Sequence, residues 1–121
     1  MMKFGFYNPT RLIFGAGSLA QLGKAVRPYG KKALLVIGGG SVKKSGAFDR
    51  AVASLKAAGV SVVEFSGVEP NPPLSTVVRA AELAKKEACD VVIGMGGGSV
   101  MDTSKVIAAS VLYEGHPRDM L

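Results

Sequence analysis

Residues 90–105 read DVVIGMGGGSVMDTSK, and this stretch decides the fold class. It begins with the short apolar run Val91 to Ile93, which is typical of a buried strand. Glycines and Ser99 follow, and apolar residues then recur at helical spacing from Val100 to Val111. A buried strand that turns through glycines into a helix is the repeating unit of an α/β fold.

The same unit occurs earlier in the chain. Residues 33–42 read ALLVIGGGSV, so a second apolar strand also leads through glycines into a helix. The pattern predicts a single helix after this loop, with Phe48, Val52 and Leu55 on its apolar face. Gly59 is expected to end that helix in the left-handed conformation.

The rest of the chain continues the alternation of strands and helices. Val60 to Phe65 is predicted to be a strand, and the proline-containing loop 68–73 leads into a helix that starts near Leu74. Because the strands are almost wholly apolar, we predict a Rossmann-like parallel sheet with helices on both faces. Near the start, Lys3 to Tyr7 and Arg11 to Phe14 flank a proline-containing turn, which predicts an N-terminal β-hairpin.

Composition limits the class of protein. A length of 121 residues fits one domain, and a net charge of +6 favours anionic partners in general. Nucleic acid is disfavoured because the basic residues form no run and are not interleaved with aromatic residues. The apolar runs fall far short of the roughly 20 residues that a membrane span needs. With Cys89 as the single cysteine and no leader pattern, a cytoplasmic protein is expected.

Two glycine-rich loops are the candidate functional elements. Gly38 to Ser41 and Gly96 to Ser99 both follow predicted strands, at the edge where open α/β sheets bind ligands. Glycines there let backbone N–H groups approach a phosphate, although glycine also serves simply to turn the chain. Neither loop has the Gly-x-Gly-x-x-Gly spacing or the Gly-Lys-Ser/Thr ending of the common nucleotide-binding motifs.

The second loop carries a more specific pattern. Residues 96–105 match Gly-Gly-Gly-Ser-x-x-Asp-x-x-Lys, a signature of the iron-containing (group III) alcohol dehydrogenases. Asn8-Pro9-Thr10, Phe14 to Gly17, Pro70-Asn71-Pro72 and Glu114-Gly115 extend the similarity over the whole chain. The sequence resembles the butanol or aldehyde dehydrogenase branch of this family most, where Gly-Gly-Gly-Ser-Val-Lys-Lys follows the first strand.

This resemblance implies that residues 1–121 form the NAD(P)(H)-binding domain of a longer two-domain enzyme. The helical domain that would supply an Asp and three His ligands to divalent iron or zinc is missing. We therefore expect no catalytic residue and no metal ligand in this chain, and no activity from it alone. The implied full-length enzyme interconverts primary alcohols and aldehydes, and a homodimer is one expected assembly. A stand-alone nucleotide-binding module without catalysis is the alternative.

The resemblance also assigns the coenzyme-binding residues by position. Those expected to hold the pyrophosphate are Gly97, Gly98 and Ser99. Those expected to border the adenosine ribose are Gly38, Gly39, Gly40 and Ser41. Asn71 is placed beside the nucleotide and Asp102 near the nicotinamide ribose. The structural interpretation of Asp102 is a capping box in which Ser99 is the N-cap residue, and the two interpretations are compatible.

The choice between NAD(H) and NADP(H) is indicated by a different set of residues. Members of this family that are strict for NAD tend to carry an Asp where this chain has Gly38, so NADP(H) is expected to be accepted. Lys43 and Lys44 are predicted to lie in the first turn of a helix, where the dipole disfavours cations. A 2′-phosphate would explain them, and simple solvation is the alternative. The lone His116 and Cys89 are interpreted as surface and buried apolar positions, respectively.

Overall fold

The computed structural model describes residues 11–14 and 21–112. Strands and helices alternate through these residues, as the sequence predicts. The elements are β1 (Arg11–Phe14), α1 (Leu22–Val26), β2 (Lys32–Ile37), α2 (Ser41–Lys44), α3 (Ala47–Ala57), β3 (Ser61–Phe65), α4 (Leu74–Lys86), β4 (Val91–Met95) and α5 (Gly98–Leu112).

The strands form one parallel sheet in the order β1-β4-β2-β3. This confirms the predicted parallel α/β architecture and the strand at Arg11–Phe14, which pairs with β4. The other half of the predicted hairpin, Lys3 to Tyr7 with its turn, lies outside the described residues. In the centre of the sheet Ile37 is paired with Met95, so β2 and β4 end side by side.

Both faces of the sheet are covered by helices. Each strand contributes to the packing on both faces, because successive strand residues point to opposite sides. On one face Leu34, Val36 and Val92 are buried in a cluster with residues of α4 and α5. On the other face Leu35 and Ile93 are buried with residues of α1 and α3. The nearly continuous apolar runs of β2 and β4 are thus explained by burial on two sides.

The helix predicted after Gly38 to Ser41 is divided in two. Gly46 adopts a left-handed φ of 84° between α2 and α3, a conformation that costs other residues free energy. Gly59, also at φ 84°, follows the end of α3 as predicted. Because α2 is only four residues long, about one turn, Lys43 and Lys44 lie in its first turn as predicted, and this is also its last turn. A helix of one turn has no extended dipole, so the dipole gives no reason to expect an anion there.

Helix α5 begins earlier than predicted. The carbonyl of Gly97 accepts hydrogen bonds from the N–H groups of Val100 and Met101, both at 3.1 Å. Gly97 is therefore the N-cap residue, and Ser99 lies inside the first turn. The capping box with Ser99 as its N-cap is wrong, because the preceding Gly96 turns the backbone with a φ of 146° that allows the helix to start at Gly98.

At the amino edge of the sheet, backbone N–H groups are hydrogen-bonded by a side chain. The carboxylate of Asp90 accepts hydrogen bonds from the N–H groups of Lys31 and Lys32 at 3.0–3.1 Å. Cys89 is buried beside it, as predicted, and desolvation raises the pKa of its thiol to about 11. In the part of the chain that the structure describes, no helix is long and apolar enough to cross a membrane.

Candidate functional site

The two glycine-rich loops lie next to each other at the carboxyl edge of the sheet. Gly38 follows β2 and Gly96 follows β4, and these strands are parallel neighbours whose last residues are paired. The sequence predicted that both loops would leave the same edge, and the sheet order brings them into direct proximity. Such an edge is the usual ligand site of an open α/β sheet.

A cleft with a cavity volume of about 270 Å³ lies between the two loops. Its lining residues are Gly38, Gly39, Val42, Val68, Pro70, Met95, Gly96, Gly97, Gly98, Ser99 and Val100. Drug-sized ligands typically occupy roughly 300–1,000 Å³, so the cleft suits part of a dinucleotide rather than all of it. Five residues expected at the site, Gly38, Gly39, Gly97, Gly98 and Ser99, are among the lining residues.

Several of the loop glycines face open space. A Cβ atom added at Gly39, Gly40, Gly97 or Gly98 would meet nothing within 4 Å. Packing therefore does not require glycine at these positions, whereas close approach of a ligand to the backbone would. Gly38 differs, because a Cβ atom there would lie 3.1 Å from Cγ2 of Val100.

The amino end of α5 forms one wall of the cleft. The first N–H groups of an α-helix have no acceptor within the helix, and in α5 these belong to Gly98 and Ser99. Both residues line the cleft and are exposed. Together with the helix dipole, these donors give the wall a partial positive charge that favours an anion.

The loop after β3 forms a second wall. Its backbone is fixed to the end of β2, since the N–H of Gly67 donates to the carbonyl of Gly38 at 2.9 Å and that of Val68 to Ile37 at 3.2 Å. Val68 and Pro70 consequently border the cleft. Asn71 comes next, exposed and with a left-handed φ of 49°, a conformation that asparagine tolerates better than most residues.

Four of the expected residues do not line the cleft itself. Gly40 and Ser41 belong to the loop between β2 and α2 and to the start of α2. Asn71 follows the lining residue Pro70, and Asp102 is exposed one helical turn beyond Gly98. These positions surround the cleft, where they are suited to contact parts of a ligand that extend beyond it.

The sequence analysis missed the apolar residues of the cleft. Val42 and Val100 occupy equivalent positions, each directly after a Gly-Gly-Gly-Ser loop, so the repeated pattern itself was an available signal. Met95 was also identifiable, because it lies at the end of β4, directly before the second glycine-rich loop. Val68 carried no such signal, because it reaches the cleft only through the long-range contacts of its backbone.

A charged cluster lies beyond the first loop, on the α3 side of the sheet. The Nζ atom of Lys43 is 2.8 Å from Oε2 of Glu64 and 5.0 Å from the centroid of the Phe48 ring. The hydrogen bond from Lys43 is the main cause that lowers the pKa of Glu64 below its ordinary value of 4.5. Lys43, one of the two lysines expected to meet a 2′-phosphate, thus already has an anionic partner.

Metal-binding chemistry is not apparent in the described ranges 11–14 and 21–112. No group of three or more His, Cys, Asp or Glu residues converges there. The sole histidine, His116, lies outside those ranges. The cleft at the carboxyl edge is lined by glycines, apolar side chains and Ser99, which are not the usual ligands of divalent iron or zinc.

Comparison with known proteins gives a consistent result. The sequence profile described as iron-containing alcohol dehydrogenase matches residues 9–121. A probable NADH-dependent butanol dehydrogenase of Bacillus subtilis is 46% identical over the whole chain, which covers 31% of that relative. An NADPH-dependent aldehyde reductase of Escherichia coli is 41% identical over 93% of the chain, which covers 28% of that relative.

A solved structure has the same fold. The NADH-dependent butanol dehydrogenase A of Thermotoga maritima superposes with a TM-score of 0.81 at 49% identity. The match covers 98% of this chain and 30% of that structure. This chain therefore spans about a third of the length of the proteins that it matches.

Proposed function

This chain belongs to the iron-containing alcohol dehydrogenase family, and from that premise we propose that its carboxyl-edge cleft binds the pyrophosphate and adjacent ribose of NAD(P)(H). Residues 1–121 are, in this proposal, a Rossmann-like dinucleotide-binding domain. Several relatives carry NADH-dependent or NADPH-dependent in their names, which supports a nicotinamide coenzyme.

One observation carries the proposal. Two neighbouring loops present glycines whose Cβ positions are empty, beside the amino end of the 15-residue helix α5. A cleft with free backbone donors and no side chains over them fits a phosphate group, because phosphate oxygens accept several N–H hydrogen bonds at once. The purely structural explanation, that glycine serves to turn the chain, does not require empty space at four positions.

The proposed roles follow from where the residues lie. The N–H groups of Gly98 and Ser99, with Gly97 beside them, hold the pyrophosphate. Asp102, exposed in the same helix, accepts a hydrogen bond from the nicotinamide ribose. Asn71 contacts the nucleotide from the opposite wall.

The first loop takes the other end of the coenzyme in this proposal. Gly38, Gly39, Gly40 and Ser41 border the adenosine ribose. Gly38 and Gly39 line the cleft, and Gly40 and Ser41 continue from it into α2. A dinucleotide would then lie across the ends of β4 and β2, from α5 to α2.

The coenzyme, when bound, supplies hydride transfer between primary alcohols and aldehydes. The contribution of this chain is binding and orientation. The donor set described at the cleft does not fit divalent iron or zinc, so no catalytic step through a metal is assigned to these residues. We propose that the whole enzyme is butanol dehydrogenase-like and that its substrates are small alcohols and aldehydes, as the names of its relatives suggest.

Gly97→Val in the intact gene product tests the proposal. A Cβ atom at this position would meet nothing within 4 Å, so the side chain of valine would start in the open space of the cleft. Affinity for NADH and NADPH, measured by calorimetry, is expected to fall about 100-fold, the loss expected when one or two hydrogen bonds to a charged group are broken. Ala57→Val, on an exposed position of α3, is the control and should leave affinity unchanged.

The outcomes distinguish an error in the proposed function from an error in the proposed position of the coenzyme. If the wild-type protein binds neither coenzyme, the proposed function is wrong. If the folded Gly97→Val variant binds as tightly as wild type, the coenzyme lies elsewhere. Thermal unfolding of each variant shows whether the fold is retained.

A further inference from the structure

The ion pair between Lys43 and Glu64 lies next to the part of the cleft where the adenosine ribose is proposed to bind. Lys43 follows Val42, a lining residue of the cleft, in the helix that the first glycine loop leads into. Its ammonium group is the nearest cation along the chain after this loop, followed by Lys44. Lys43 is therefore the candidate cation for a 2′-phosphate at this end of the cleft.

The ammonium group of Lys43 already makes two contacts within the protein. The carboxylate of Glu64 accepts a hydrogen bond from it at 2.8 Å, and the Phe48 ring lies 5.0 Å from it. Both partners belong to the side of the molecule formed by β3 and α3. The side chains of Lys43 and Glu64 remain about half and a third exposed, so a ligand can reach them.

The charge of Glu64 matters as much as its contact. A carboxylate beside Lys43 cancels part of the positive potential that a 2′-phosphate would otherwise meet at that ammonium group. NADH has hydroxyl groups at this position and is neither attracted nor repelled to the same extent. The two coenzymes should therefore respond differently to the loss of this one negative charge.

We propose that Glu64 is a specificity-determining residue that weakens binding of NADP(H), relative to NAD(H), by occupying Lys43. This inference rests on the proposed coenzyme site and adds a residue to it that contacts no part of the coenzyme. Glu64 acts through Lys43, so it is a positioning residue. Its effect is limited in size, because exposed ion pairs are weakly coupled.

Glu64→Gln in the intact gene product is the direct test, with dissociation constants measured for both coenzymes. Affinity for NADPH is expected to rise roughly two- to fivefold, and affinity for NADH should stay the same. The gain should shrink at high salt, where exposed charges are screened. Glu82→Gln, an identical change on the exposed side of α4, should alter neither constant.

A double-mutant cycle distinguishes selectivity from a merely structural role. In a Lys43→Gln background, Glu64→Gln should no longer favour NADPH over NADH. Equal changes for both coenzymes, or weaker NADPH binding in Glu64→Gln, would overturn the inference while leaving the proposed function intact. Failure of the wild-type protein to bind either coenzyme would overturn both.

Discussion

The two edges of the sheet use glycine for opposite reasons. At the amino edge, a Cβ atom on Gly30 would overlap the side chains of Asp90 and Val91. At the carboxyl edge, a Cβ atom on Gly39 or Gly97 would meet nothing within 4 Å. Glycine is thus required by packing at one edge, and at the other edge it leaves space that the protein itself does not fill.

Hydrogen bonding shows the same contrast. At the amino edge the N–H groups of Lys31 and Lys32 are bound by the carboxylate of Asp90. At the carboxyl edge the first N–H groups of α5 belong to residues that line a cleft, and they have no acceptor in their own helix. Donors left available beside empty space indicate a ligand site, and donors bound by a side chain indicate a structural closure.

The largest effect expected from this contrast is on stability. Gly30→Ala should lower the free energy of unfolding by about 3 kcal/mol, because the new methyl group overpacks a site filled by Asp90 and Val91. Urea denaturation measures the change. Gly97→Ala is the matched substitution at the other edge and should cost less than about 1 kcal/mol, the loss of a favourable N-cap residue.

Equal losses in the two variants would contradict the distinction between a packed edge and an open one. A large loss of stability in Gly97→Ala, with none in Gly30→Ala, would show that the carboxyl edge is the packed one. Coenzyme binding provides a second comparison, since Gly97→Ala should weaken it more than any folded Gly30 variant does.

A smaller effect is expected from Asp90. Asp90→Ala removes the acceptor of the N–H groups of Lys31 and Lys32 and should lower the free energy of unfolding by about 1–2 kcal/mol. Asp90→Asn keeps one oxygen acceptor, so its free energy of unfolding should fall by less than that of Asp90→Ala. Glu82→Ala, at an exposed position of α4, serves as the control for removal of an acidic side chain. Coenzyme affinity that falls with Asp90→Ala while stability is unchanged would argue against a structural role.

The sequence was sufficient for those features that depend on local patterns. Apolar runs of strand length predicted β2, β3 and β4, and Gly59 marked the end of α3 because glycine readily adopts the left-handed conformation that commonly follows a helix C-terminus. Gly46 has the same φ, yet its effect was not foreseen, since nothing in the neighbouring residues distinguishes a break from a continuing helix.

Features that depend on long-range contacts were harder to predict from the sequence. The two glycine loops could be placed at one edge, because parallel strands end together. Their direct adjacency depends on the order β1-β4-β2-β3, which follows from packing of the whole sheet. Likewise, Glu64 lies 21 residues from Lys43, and only the pairing of β3 with β2 brings the two side chains together.

The smallest expected effect concerns pH. Because Lys43 lowers the pKa of Glu64 below 4.5, the ion pair stabilises the folded state fully above that pH. This contribution is lost as the pH falls from 4.5 through the lowered pKa. The stability difference between wild type and Glu64→Gln, measured by urea denaturation at neutral and at acidic pH, should therefore shrink on acidification. A difference that grows would show that another group is responsible.

Hydrogen–deuterium exchange of the intact gene product, with and without saturating NADH, compares the two edges most directly. If the coenzyme binds at the carboxyl edge, amides of residues 38–41 and 96–99 should exchange more slowly in its presence. Amides of residues 30–32 at the amino edge should be unchanged. Protection confined to the amino edge, or no protection of either glycine loop while calorimetry shows bound coenzyme, would contradict a ligand site between these loops.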